Sequence, residues 1–291
     1  MRVHDVSLSN RSFLMAAIPL LTLQTLLFMV PLGLTIVLTF QQSEYFRTVW
    51  TWDFENWADV FGKTYIWKVM WHTIKMSAIT VALCLLIAFP VAYALTTRAK
   101  AYLSHVQVLI VFAFLTDAVL KTFGWVLFLD TAGALNWLVS HIGVVLPVGD
   151  YIFTDFATVL GMIYTLLPFM IFTLFLSLSN MDRDLLNAAA DAGAGKWQAF
   201  WEVTLPLCRP GIWAGSVLVF LYGVGSFLEP KVLGGGKSPM AAELIRQTFE
   251  TRVNWPLGAA LTIVLMIICV IVVSVFTRLY SPSHFRGAKN A

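Results

Sequence analysis

Asp117 and Lys121 lie four residues apart in an otherwise apolar stretch, Leu103 to Leu129. In a helix that spacing puts both on one face. A lone charge at the centre of a bilayer costs about 3 kcal/mol or more, so the pair has two readings: a neutralised structural pair, or the lining of a wet pathway for a charged solute. A further acid, Glu229, closes another apolar stretch just before Pro230. Gly234-Gly235-Gly236-Lys237-Ser238 invites a nucleotide-binding reading, but the template glycine falls on Lys231 and Pro239 follows directly. No strand is expected ahead of it either. His4, His72, His105, His141 and His284 are scattered, with no H-E-x-x-H and no G-x-S-x-G. Cys84, Cys208 and Cys269 lack C-x-x-C spacing and read as small apolar fillers rather than metal ligands or disulfide partners. The expectation is a chain without catalytic residues, metal or a cofactor of its own.

Those charges must be positioned by membrane helices. The chain has 291 residues, 59% hydrophobic and 12% charged, with mean hydropathy +0.79. So few charges cannot cover a water-soluble surface. Six stretches are long enough to span a hydrocarbon core, which takes about 20 apolar residues: Ser12–Phe40, Met76–Thr97, Leu103–Leu129, Phe156–Ser179, Gly211–Leu228 and Leu257–Thr277. The first is too long for a removed signal peptide. Each is too long for a barrel strand, so the expected fold class is all-α: one polytopic membrane domain over residues 1–291 with about six transmembrane helices. Pro19, Pro31, Pro90 and Pro168 read as kinks within them. The net charge of +3 reports topology rather than nucleic-acid binding. With both termini inside, ten Lys and Arg fall on cytoplasmic segments and eight outside. Trp50, Trp52, Trp57, Trp67 and Trp71 crowd the first outside loop, as interfacial anchors or a docking surface.

The cytoplasmic loop Met181–Leu207 is different in kind. Asp182 or Asp184 can cap a helix, the alanines around Ala189 extend it, and Gly193 with Gly195 break it. Trp197, Phe200, Trp201 and Val203 then mark a second amphipathic stretch ending at Leu205–Pro206. Its polar side is acidic, which anionic lipid repels, so two short helices joined at a glycine bend suit a groove on another protein better than a membrane surface.

The loop resembles the permease subunits of binding-protein-dependent ABC importers, whose motif is E-A-A-x3-G-x9-I-x-L-P. Here it reads Asn187-Ala188-Ala189, Gly193, nine residues, then Val203-Thr204-Leu205-Pro206, with Asn187 in place of the usual Glu. Phe227-Leu228-Glu229-Pro230, Leu233-Gly234-Gly235 and Asn254-Trp255-Pro256-Leu257-Gly258-Ala259-Ala260 are similar to the spermidine/putrescine-type branch, as is the stretch from Leu115 through Lys121 to Trp125.

The resemblance implies a type I importer permease fold and half of a translocation pathway. Asn187, Ala188, Ala189, Asp191, Gly193, Ala194, Gly195, Leu205 and Pro206 would belong to a coupling helix docked on an ATPase. The implied partners are a second permease subunit, two ATPase subunits that carry the ATP and Mg, and a periplasmic or extracellular substrate-binding protein, in the lipid of a bacterial inner membrane and without nucleic acid. A polyamine is the solute class implied, with an opine or a phosphonate as alternatives and a secondary transporter as the reading from another class. For a polyamine, Asp117 and Glu229 would attract ammonium groups beside Lys121, and Trp125, Tyr164, Tyr222 and Phe227 would offer π faces.

Overall fold

The computed structural model describes residues 10–44, 47–97, 108, 112–142, 151–181, 183–237 and 239–280. The chain is mainly helical, and its contacts divide it into two compact units: 1–63 with 248–264, and 64–247 with 265–291.

In the first unit, α1 (Asn10–Leu38) runs on through Pro19 and Pro31. A small antiparallel hairpin follows, β1 (Gln42–Glu44) with β2 (Arg47–Val49), then α2 (Glu55–Gly62). Asn56 ties this cap together by donating to the carbonyls of Thr39 (3.2 Å) and Gln41 (2.7 Å). Trp57 donates to Thr39 Oγ1, and Phe40 packs among Trp52, Phe54 and Trp57. The Gln42 amide, joined by the backbone amides of Glu55 and Phe54, holds the Asp53 carboxyl below the usual carboxylate range. Trp50 and Trp52 stay exposed.

The second unit is built on α3 (Thr64–Thr97), α6 (Asp155–Ser179) and α9 (Arg209–Val224), which pack on one another. Small residues on α3, at Cys84, Ala88 and Ala92, face the larger Leu166, Met170, Leu174 and Leu178 of α6. Both rows repeat every fourth residue, the spacing at which helix ridges enter helix grooves. Between α3 and α6 the chain forms α4 (Ala118–Leu129) and α5 (Ala134–Ile142). The loop after α6 contains α7 (Arg183–Asp191) and α8 (Lys196–Ala199). Beyond α9 come α10 (Leu228–Val232), α11 (Ala241–Glu250) and α12 (Trp255–Tyr280), the last two contributing residues 248–264 to the first unit. The amide of Ala241, at the start of α11, donates to buried Thr73 on α3 (2.7 Å).

Among the described residues, four stretches are long and apolar enough to cross a membrane: Thr64–Thr97, Ala118–His141, Asp155–Ser179 and Trp255–Arg278. A fifth is a helix pair, Lys196–Leu207 with Arg209–Val224, bent by 60°. The apolar run Thr22–Leu38 is shorter.

Three expected spans change. The second begins at Thr64, not Met76. Its extra turns bury Ile66, Val69, Met70 and Thr73, while Lys68, His72 and Lys75 occupy other faces and hide the stripe from an apolar-run search. The third is broken, because Thr116 and Asp117 leave the helix before α4, and much of Leu103–Phe112 lies outside the described residues. The fifth ends at Val224, so Glu229 belongs to the separate helix α10 rather than to its end.

Close packing of α9 on α6 depends on glycine. A Cβ on Gly215 would collide with Thr173 Oγ1 and lie 2.7 Å from Met170 Sδ, and one on Gly211 would strike Ser177. Gly225 terminates α9. Gly215→Val is expected to destabilise the chain by about 1–3 kcal/mol through overpacking. The check is a lowered Tm in detergent, with Gly124→Ala, where a Cβ meets nothing within 4 Å, as the comparison.

Candidate functional site

The loop after α6 folds as a closed knuckle. At the end of α7, Gly193 adopts φ +84°, a backbone region that only glycine enters freely. Its amide bonds Ala190 O (2.9 Å) and the amide of Ala194 bonds Ala189 O (3.0 Å). These two bonds form a Schellman motif, which satisfies the carbonyls at the helix end and reverses the chain. Gly195 then opens α8 in an extended conformation. Asn187, Ala188, Asp191, Gly193 and Gly195 are exposed, and Ala189, Ala194, Leu205 and Pro206 are half-buried.

The second arm of the knuckle is a lever. After α8 the helix widens into a π turn, Phe200–Thr204, and continues through Leu205–Leu207 to the bend before α9. Helix thus runs past Leu205–Pro206, where the sequence suggests an end. Proline removes an amide and crowds the carbonyl four residues back, and the wide turn lies where that crowding falls. Phe200 stacks with Trp197 and meets Trp201, Phe89 and Tyr93 edge-on. Phe89 and Tyr93 belong to α3, so this ring joins the knuckle to a membrane helix.

The charged residues form a second cluster. Asp117 does not share a helix face with Lys121, as the spacing suggests: it is the N-cap of α4, accepting the amide of Val119 at 2.8 Å. No ion pair joins the two within 4 Å among the described residues. Lys121 instead donates its ammonium to Ala113 O, across the break. Glu229 is only 6% exposed. It accepts the hydroxyls of Thr165 (3.1 Å) and Ser226. α10, which carries it, packs on both α4 and α6.

The four aromatic candidates divide into separate contacts. Trp125 meets Tyr164 edge-on, with 5.7 Å between ring centroids. Tyr222 stacks on Phe169 at 5.1 Å, and Phe169 meets Phe114 edge-on at 4.6 Å. Phe227 lies beneath the Arg246 guanidinium, 5.5 Å away. Phe114, Phe169, Thr165, Ser226 and Arg246 were not legible as site residues, because an apolar helix gives no signal for which ring or hydroxyl turns toward a given carboxylate.

The glycine-rich segment is a turn between α10 and α11. Gly235 and Gly236 have φ +61° and +69°. Phe153 packs so closely on Gly235 that a Cβ there would enter its ring, and Lys237 lies 6.0 Å over the same ring. Ser238 lies outside the described residues.

Residues 104–285 match the family described as binding-protein-dependent transport system inner membrane component. The chain is 34% identical to the spermidine/putrescine transport system permease protein PotB of Haemophilus influenzae, over 77% of this chain and 78% of that one. It is 32% identical to PotB of Escherichia coli, over 84% and 88% respectively. Its fold is similar to that of a bacterial alginate ABC transporter crystallised in complex with alginate pentasaccharide-bound periplasmic protein. That match has a TM-score of 0.74 and 16% identity, and covers 93% of this chain and 95% of the other. On the family match and these identities, the chain belongs to the binding-protein-dependent transport system inner membrane components, on the branch occupied by the two PotB permeases.

Proposed function

We propose that the chain forms half of the translocation pathway of an ATP-driven importer and passes a small cationic solute of the polyamine class. Family membership makes it a multi-pass inner-membrane transport subunit rather than an enzyme. The knuckle at Ala188–Gly195 carries the mechanical part of the reading. It is exposed, rigidly closed, spaced as the family motif requires, and tied by Phe200 to α3. With both termini cytoplasmic, it meets an ATPase subunit that binds the ATP and Mg. ATPase closure moves the knuckle, and the bent lever rocks α9 and α3 between inward- and outward-facing states. A second permease subunit completes the pathway, a second ATPase pairs with the first, and an external binding protein delivers the solute. The periplasmic protein in the solved alginate transporter supports that last partner.

The names of the two PotB relatives support the solute class. So does buried Glu229, whose only hydrogen-bond partners among the described residues are hydroxyls. A charge so poorly compensated suits a passing cation.

The test is uptake of labelled spermidine into proteoliposomes. Uptake is expected only when this chain is assembled with the second permease, the ATPases and the binding protein, and only with ATP. Ion-gradient-driven uptake by this chain alone overturns the importer reading. ATP-driven uptake of an opine or a phosphonate, with none of spermidine or putrescine, overturns the solute class but keeps the machine.

A further inference from the structure

Lys121 bridges the break between two helical segments, its ammonium bonded to Ala113 O. The half-helix before the break ends at Leu115. Phe112 O takes the amide and hydroxyl of Thr116, at 3.0 and 2.9 Å. Ala113 O is the next carbonyl, and in a continuous helix the Asp117 amide would reach it. Because Asp117 leaves the helix to cap α4, Ala113 O takes the Lys121 ammonium instead. The carboxylates of Asp117 and Glu229 attract that ammonium, while burial opposes its charge. The C-terminal end of a half-helix adds partial negative charge. An ammonium has three donors, and Ala113 O is the only acceptor within hydrogen-bond range of this one among the described residues.

A lysine side chain is a butylammonium tethered at one end. A primary alkylammonium solute would make the same contacts with Ala113 O and the same two carboxylates. We propose that Lys121 is a resident competitor, a tethered ammonium that fills the cation site when no solute is present and that a solute must displace. The proposal deepens the cationic reading above and rests on it. Lys121 lowers the affinity of the site for every amine, and because the displaced ammonium stays tethered nearby, its charge opposes a diamine or polyamine more than a monoamine.

The experiment measures binding of labelled putrescine to the full chain with its co-purifying subunits in nanodiscs, without binding protein, and competition by butylamine. Lys121→Gln is the main variant, because a neutral amide can still donate to Ala113 O and keep the break closed. Lys121→Arg keeps the charge. Lys121→Gln is expected to bind putrescine about tenfold more tightly, the order of one charge-assisted contact, and to gain less for butylamine, which carries half the charge. Lys121→Arg should stay near wild type. A structural role predicts a lower Tm with the putrescine affinity unmoved, and that result overturns the proposal. So does weaker putrescine binding in Lys121→Gln. If Glu229→Gln loses putrescine while Lys121→Gln changes nothing, the cationic reading stands and this inference falls. If neither wild type nor any variant binds putrescine, while labelled glutarate binds, both fall together.

Discussion

Gly193→Val is expected to leave the chain inserted in the membrane and to abolish its co-purification with the ATPase. Space is not the obstacle at this position, since a Cβ on Gly193 meets nothing within 4 Å. What valine cannot adopt cheaply is the backbone, φ +84°. A β-branched residue held in that region costs about 1–3 kcal/mol. On an exposed loop the chain escapes by giving up the two bonds of the Schellman motif, and α7 then no longer reverses into α8. The membrane helices are untouched, so insertion and Tm should change little. A docking surface that forms only after paying 1.4 kcal/mol is populated about tenfold less, and the loss multiplies if both copies of the knuckle must engage. Gly193→Asn separates shape from size, because asparagine enters the left-handed region readily, and should retain the ATPase. Equal pull-down of the ATPase by wild type and Gly193→Val would remove the coupling role from this loop.

How far the sequence reached can be judged from two of its elements. The knuckle was legible because everything that shapes it is local: alanines that propagate helix, a glycine that permits positive φ, and hydrogen bonds spanning no more than five residues. The apolar spans were legible for the same kind of reason, as hydrocarbon selects composition and length directly. The lever was only half legible. A proline at 206 reads as a stop, and nothing in the sequence shows that a π turn ahead of it lets the helix continue. The start of α3 was missed because its buried stripe, Ile66, Val69, Met70 and Thr73, is interleaved with Lys68 and His72. At the charged site the residues were found and their arrangement was not. Spacing of four puts Asp117 and Lys121 on one face only if the helix is continuous, and Asp117 prefers to cap the helix that follows. Glu229 depends on Thr165, 64 residues away in sequence; contacts of that kind are fixed by helix packing and leave no local pattern.

Because that arrangement is now explicit, the charges can be removed without removing the structure. The double substitution Asp117→Asn with Glu229→Gln is expected to reduce uptake of spermidine by the assembled importer severely while leaving Tm nearly unchanged. Asparagine caps a helix about as well as aspartate, so α4 keeps its start and Val119 its acceptor. Glutamine is close in shape to glutamate and keeps an oxygen for Thr165 or Ser226, whose hydroxyl on the other side can accept as readily as donate. What disappears is two units of negative charge. A hydrogen bond to a charged group contributes about 1.5–3 kcal/mol, so each change should weaken cation binding by roughly ten- to a hundredfold. Unlike a local polar contact, the effect should scale with the charge on the solute, falling hardest on spermidine, less on putrescine and least on a monoamine. Uptake is read with saturating binding protein, so that delivery does not limit the rate. If spermidine uptake survives the double change, the two acids do not steer the cation and the aromatic faces at Tyr164 and Tyr222 become the better place to seek its path. If uptake and Tm fall together, the pair is structural. Only a loss of uptake graded by solute charge, at constant Tm, identifies these carboxylates as the counter-charge that a cation meets inside the membrane.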